Sequence, residues 1–79
     1  MRVVYMTVTG PGDATRASVP FHLAVNGSTQ VGHDVAIVLG GDAADLVLPG
    51  VAEKVEGVGL PPMRELLAKA RDEQVPVFV

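Results

Sequence analysis

Val75-Pro76-Val77-Phe78-Val79, the last stretch of the chain, is a short apolar run of β-branched and aromatic residues, which reads as a buried strand. Two runs of the same kind lie upstream, Val3-Val4-Tyr5-Met6-Thr7-Val8-Thr9 and Val35-Ala36-Ile37-Val38-Leu39. Segments with helical spacing separate the three, and strands alternating with helices make an α/β fold around a mostly parallel sheet. The last strand is followed by no turn or polar cap, so residues 1–79 are expected to form a single α/β domain that is incomplete at its C-terminus. Loops leaving the carboxyl ends of parallel strands carry function, and part of the site is therefore expected beyond Val79.

The first strand breaks at Gly10-Pro11-Gly12. Asp13 or Thr15 can then cap a helix whose inward stripe is Ala17, Phe21, Ala24 and Ser28. Pro20 and Gly27 predict a kink or an early end. The second strand closes at Gly40-Gly41, after which Asp42 can cap a short helix over 43–48, with Asp45 in its first turn. Residues 51–59 read as irregular or briefly helical. Pro61-Pro62 opens the clearest helix, in which Met63, Leu66, Leu67 and Ala70 share one face and Glu65 precedes Lys69 by one turn.

These elements predict parallel strands near 2–9, 34–39 and 75–79, joined by right-handed crossovers. Crossovers on opposite faces give a three-layer α/β/α arrangement with strand order beginning 2-1-3. The first strand is then covered on both faces, Met6 and Met63 fill the core, and the topological switch lies between strands one and three.

Composition excludes several function classes. The chain has no cysteine, which rules out disulfides, thiolate metal sites and a thiol nucleophile within these residues. Net charge is −3 and the six basic residues are scattered, so no nucleic-acid footprint is present. No apolar stretch reaches the ~20 residues of a membrane span, and no leader pattern is visible at the start, so no membrane span and a cytoplasmic location are expected. With 48% hydrophobic residues and a mean hydropathy of +0.36, the chain is apolar for its size and predicts a homo-oligomer.

The candidate site residues follow from strand polarity. Gly10-Pro11-Gly12-Asp13-Ala14-Thr15 stands between a strand and a helix, where backbone N–H groups can cradle an anion. It lacks the Lys-Ser or Lys-Thr of a P-loop, and Thr15 replaces the third glycine of the dinucleotide fingerprint. It is either a tight turn with a cap or part of a small-ligand site, and Gly40-Gly41-Asp42 offers the same two readings. The expected ligand-binding set is Gly10, Gly12, Asp13, Arg16, Gly40, Gly41, Asp42 and Val79. Arg16 is either solvated or placed to reach an anionic ligand or a neighbouring subunit. His22 and His33 have no partner at metal spacing; His22 reads as an interface or partly buried residue, and His33 falls at the end of the sheet opposite the site. No catalytic residue, metal or cofactor is expected among these residues.

The segments Thr15-Arg16-Ala17-Ser18-Val19-Pro20-Phe21-His22-Leu23-Ala24, Gly32-His33-Asp34-Val35, Gly40-Gly41-Asp42-Ala43, Gly50-Val51-Ala52-Glu53-Lys54-Val55-Glu56-Gly57 and Pro61-Pro62-Met63-Arg64-Glu65-Leu66-Leu67 together resemble the DsrE/DsrF-like (YchN-like) family, over nearly the whole chain. The resemblance implies a three-layer α/β/α fold assembled as trimers or dimers of trimers. Members of the DsrEFH and TusBCD type carry sulfur as a cysteine persulfide, and many relatives place that cysteine just after a Val-Pro-Val-aromatic-Val strand. It thus implies a sulfur-relay or thiol-redox role, with a relay protein as partner and the cysteine lying past Val79. The alternative is a non-catalytic oligomeric module binding a small ligand or a partner.

Overall fold

The computed structural model describes residues 1–79. Strand β1 spans Arg2–Thr7, helix α1 Ala14–Leu23, strand β2 Asp34–Leu39, helix α2 Met63–Asp72 and strand β3 Val77–Phe78. All pairings are parallel, as expected, but the order is β1-β2-β3, with β2 in the centre. The expected 2-1-3 order is therefore corrected. Two right-handed crossovers advancing in the same direction put both helices on one face of the sheet. Periodicity shows that a helix has an apolar stripe; it does not show which face of the sheet that stripe will choose.

That face holds the core. Val35, Ile37 and Leu39 point into it from β2, and Tyr5 and Val77 join from the flanking strands. Ala17 and Phe21 of α1 and Met63, Leu66 and Ala70 of α2 close over them. Sharing one core draws the helices together instead of splitting them across the sheet. The opposite face carries no helix. Val4, Met6, Val8 and Phe78 are 57%, 72%, 65% and 56% exposed there, so β1 is covered on one face only. Met63 is a core residue as expected; Met6 is not, because both helices pack on the other face of the sheet.

Helix α1 is capped by Asp13, whose Oδ1 accepts the N–H of Arg16 at 3.1 Å. Its α-helical form ends at Leu23, three residues past Pro20: Ala24–Ser28 continues as a wider π-helical turn and Thr29–Val31 as a 3-10 turn, ended by left-handed Gly32, so the distortion expected around Pro20 and Gly27 takes the form of a change in helix type. Side chains take up carbonyls in this altered stretch, Thr29 Oγ1 donating to Ala24 O (2.9 Å) and Gln30 Nε2 to Val25 O (3.1 Å). The Tyr5 hydroxyl reaches Ser28 Oγ at 2.6 Å and ties the turn to the sheet. Lys69 bonds Asn26 Oδ1 instead of pairing with Glu65, and Asn26 Nδ2 donates to His22 Nδ1 at 3.0 Å.

Helix α2 ends in a Schellman turn, with Val75 N–H bonded to Ala70 O (2.8 Å) and Gln74 N–H to Arg71 O (3.1 Å). Gln74 holds the left-handed position at φ 59°, the only residue other than glycine with positive φ. A side chain there costs roughly 1–2 kcal/mol, of which glycine's looser unfolded state takes back about 0.4–1 kcal/mol. Gln74→Gly should therefore stabilise the fold by about 0.5–1 kcal/mol and raise Tm by roughly 2–8 °C in a thermal melt. A lower Tm would show that the Gln74 side chain holds the turn.

Candidate functional site

The carboxyl ends of β1 and β2 deliver two loops side by side. The ladder runs one step past the strands, Gly40 N–H donating to Thr7 O at 3.0 Å. Beyond it, Gly10 is buried against the next loop: a Cβ on Gly10 would lie 2.4 Å from Asp42 O and 2.8 Å from Asp42 C. The loop over 10–13 can lie against the loop over 40–42 only because residue 10 has no side chain.

The two loops and the end of β1 enclose an open cavity of about 520 Å³, lined by Val8, Thr9, Gly10, Pro11, Gly12, Asp13, Asp42 and Asp45. Neither Gly10 nor Gly12 spends its N–H on a hydrogen bond within the chain. The cavity's side-chain charge comes from Asp13, Asp42 and Asp45. That balance opposes an anionic group at the rim and favours a neutral or cationic polar one.

Of the residues expected at the site, the cavity brings together Gly10, Gly12, Asp13 and Asp42. Arg16 is not among its walls; its side chain is 82% exposed, with Nε 3.6 Å from Oδ2 of the lining residue Asp13. Gly40 and Gly41 stand behind the lining. Gly40, not Asp42, is the N-cap residue of the next turn, which is a 3-10 helix over Gly41–Val47 without a side-chain cap. Val79 is 76% exposed and outside the cavity. Val79 directly follows the last paired residue of β3, whose register with β2 sets Ile37 beside Val77 and Val38 beside Phe78.

All three segments thus reach the carboxyl edge, as strand polarity requires, but with β2 between β1 and β3. Both crossovers share a face, so the expected switch point between strands one and three does not exist among these strands. The cavity lies between neighbouring β1 and β2 instead. Thr15, the alternative cap, is used elsewhere: its Oγ1 accepts the N–H of Val58 at 3.0 Å and pins the 51–59 segment over the start of α1.

At the amino edge a second groove of about 420 Å³ opens where β3 is too short to pair with the start of β2; Arg2, His33, Asp34, Glu73 and Gln74 are among its walls. His33 lies at this end, away from the carboxyl-edge cavity, as expected. No group of three or more His, Cys, Asp or Glu side chains is placed to hold a metal ion. No helix is long and apolar enough to cross a membrane. Comparison with protein-family models, with curated proteins and with solved structures finds no match to this chain.

Proposed function

We propose that the chain is a DsrE-like α/β module whose working edge is the carboxyl edge of its sheet, and that it serves a sulfur-relay or thiol-redox protein. The family assignment rests on the ordered series of resembling segments from Thr15 to Leu67. One structural observation supports the placement: the register that sets Val77 beside Ile37 and Phe78 beside Val38, if continued, would bring the residue after Val79 level with Gly40, next to the loops that line the cavity. A cysteine following Val79 would then emerge at this edge.

A persulfide carrier needs its thiolate stabilised by backbone donors. The N–H groups of Gly10 and Gly12 are among the donors on this edge that make no hydrogen bond within the chain. Asp13, Asp42 and Asp45 oppose a thiolate by like charge, which favours a thiol seated toward the β3 side, away from them. The resemblance also implies trimers or hexamers, a relay protein as partner, and a three-layer form with further helices on the bare sheet face.

The second reading is a non-catalytic module that binds a neutral or cationic polar ligand in the cavity, and the three carboxylates on its rim favour it. One experiment separates the two. Treatment of a parent chain that continues past Val79 with inorganic polysulfide, whose zero-valent sulfur passes to the thiolate while the shortened polysulfide leaves, followed by mass spectrometry, should add one sulfur to a cysteine just downstream of Val79. If that position has no cysteine, or has one that resists both loading and alkylation under native conditions, the relay reading fails and the binding module replaces it.

A further inference from the structure

The groove at the amino edge holds a gap in the hydrogen-bond ladder. Asp34 N–H goes to Met1 O and Gly40 N–H to Thr7 O, which gives the even positions of β2 to β1, while Ile37 N–H goes to Pro76 O, which gives the odd positions to β3. Val35 therefore faces the β3 side. Its N–H has no partner there. The ladder gives its C=O none either, because the residue placed to donate to it is Pro76, which carries no N–H. Val35 is only 8% exposed and lines the groove, and a buried strand residue with both backbone groups unspent is an exception that calls for an account.

The gap is one residue long. Ile37 N–H is spent on Pro76 O at 2.9 Å on one side of it, and His33 N–H on Ser28 O at 3.1 Å on the other. That is too little edge for an added strand. It suits a single planar group that accepts from Val35 N–H and donates to Val35 C=O side by side, as the facing residue of an antiparallel pair does. The adjoining space of about 420 Å³ is of ligand size. Its charged walls are Arg2, Asp34 and Glu73, none of them ion-paired within the chain, and one guanidinium against two carboxylates disfavours an anion. We propose that this groove binds a neutral nitrogen heterocycle of the nucleobase type, as a base or nucleoside, whose acceptor–donor edge completes the ladder at Val35. Adenine shows the fit: its exocyclic amino group donates to Val35 C=O while the adjacent ring nitrogen accepts from Val35 N–H. The ring lies in the plane of the sheet, with Val75 on the core side and Ala36 and Phe78 on the other. The gap opens in that plane at the amino edge, so it is separate from the carboxyl-edge cavity and independent of what covers the bare face.

The probe is adenosine, titrated at millimolar concentration into the chain and followed by amide NMR. The amides of His33, Val35 and Gln74 should shift saturably, while residues 10–13 and 40–45 stay in place. The analogue with both amino hydrogens replaced by methyl groups keeps the ring and has nothing to donate, so it should bind about tenfold more weakly or worse. Pro76→Ala supplies the N–H that the ladder lacks at Val35 C=O. This variant should keep its far-ultraviolet circular dichroism and bind adenosine about tenfold more weakly as well. If the variant does not fold, the methylated analogue alone decides. The proposal is overturned by any of four results: no saturable shift with adenosine, shifts at the carboxyl-edge loops instead, equal binding of the methylated analogue, or undiminished binding by a folded Pro76→Ala.

Discussion

Phe21→Ala is expected to remove about 3–5 kcal/mol of folding free energy, the usual cost of emptying an aromatic site in a closed core. Phe21 is fully buried in α1 and is the largest of the fully buried side chains, so its loss opens a void between the helix layer and the sheet. A chain of 79 residues has only about 4–12 kcal/mol in total, and the variant should lose most of its urea transition at 37 °C. Val19 lies on the same helix at 41% exposure, and Val19→Ala should stay within about 0.5 kcal/mol. Urea titrations followed by circular dichroism measure both. A Phe21→Ala loss below about 1 kcal/mol would mean that α1 is not packed on the sheet as described.

The second large effect belongs to Gly10→Ala. The added Cβ would sit 2.4 Å from the Asp42 carbonyl oxygen, backbone against backbone, and no rotamer change can relieve it. One of the two loops must move, at about 1–3 kcal/mol for overpacking of this kind. Gly12 lies two residues on in the same loop, and a Cβ there meets nothing within 4 Å. Gly12→Ala should therefore change stability by less than about 0.5 kcal/mol. Amide shifts read by NMR should move at residues 40–45 in the first variant and stay in place in the second. Equal responses from the two glycines would show that the loops do not touch.

That pair of glycines shows where the sequence stops being legible. Gly10 and Gly12 read alike in the chain, as turn residues flanking Pro11, and only the approach of a loop some 30 residues away makes one of them irreplaceable. The same holds for Asp13 and Asp42: both read as caps, yet Asp13 receives the Arg16 N–H and Asp42 caps nothing. Arg16 read as either solvated or placed to reach an anionic ligand or a neighbouring subunit, and its side chain is exposed beside Asp13. In each case the residue type limits what a side chain can do, and its neighbours in space decide which of those things it does.

What the chain determined by itself is local. The three strands, a helix cap at Asp13 or Thr15, the helix opened by Pro61-Pro62 and the parallel polarity that sends the Gly10 loop, the Gly40 loop and Val79 to one edge were all readable from hydrophobic period, capping chemistry and connection length. Tertiary structure decided the strand order, the loss of the switch point, the exposure of Met6 and the bare sheet face. The physical reason is that an amphipathic helix carries one apolar stripe and a strand of alternating apolar residues has two faces that are nearly equivalent as partners. The choice between them is made by cooperative packing: here α1 and α2 share a single core over Val35, Ile37 and Leu39, and the other face is left to Val4, Met6 and Phe78 in solvent.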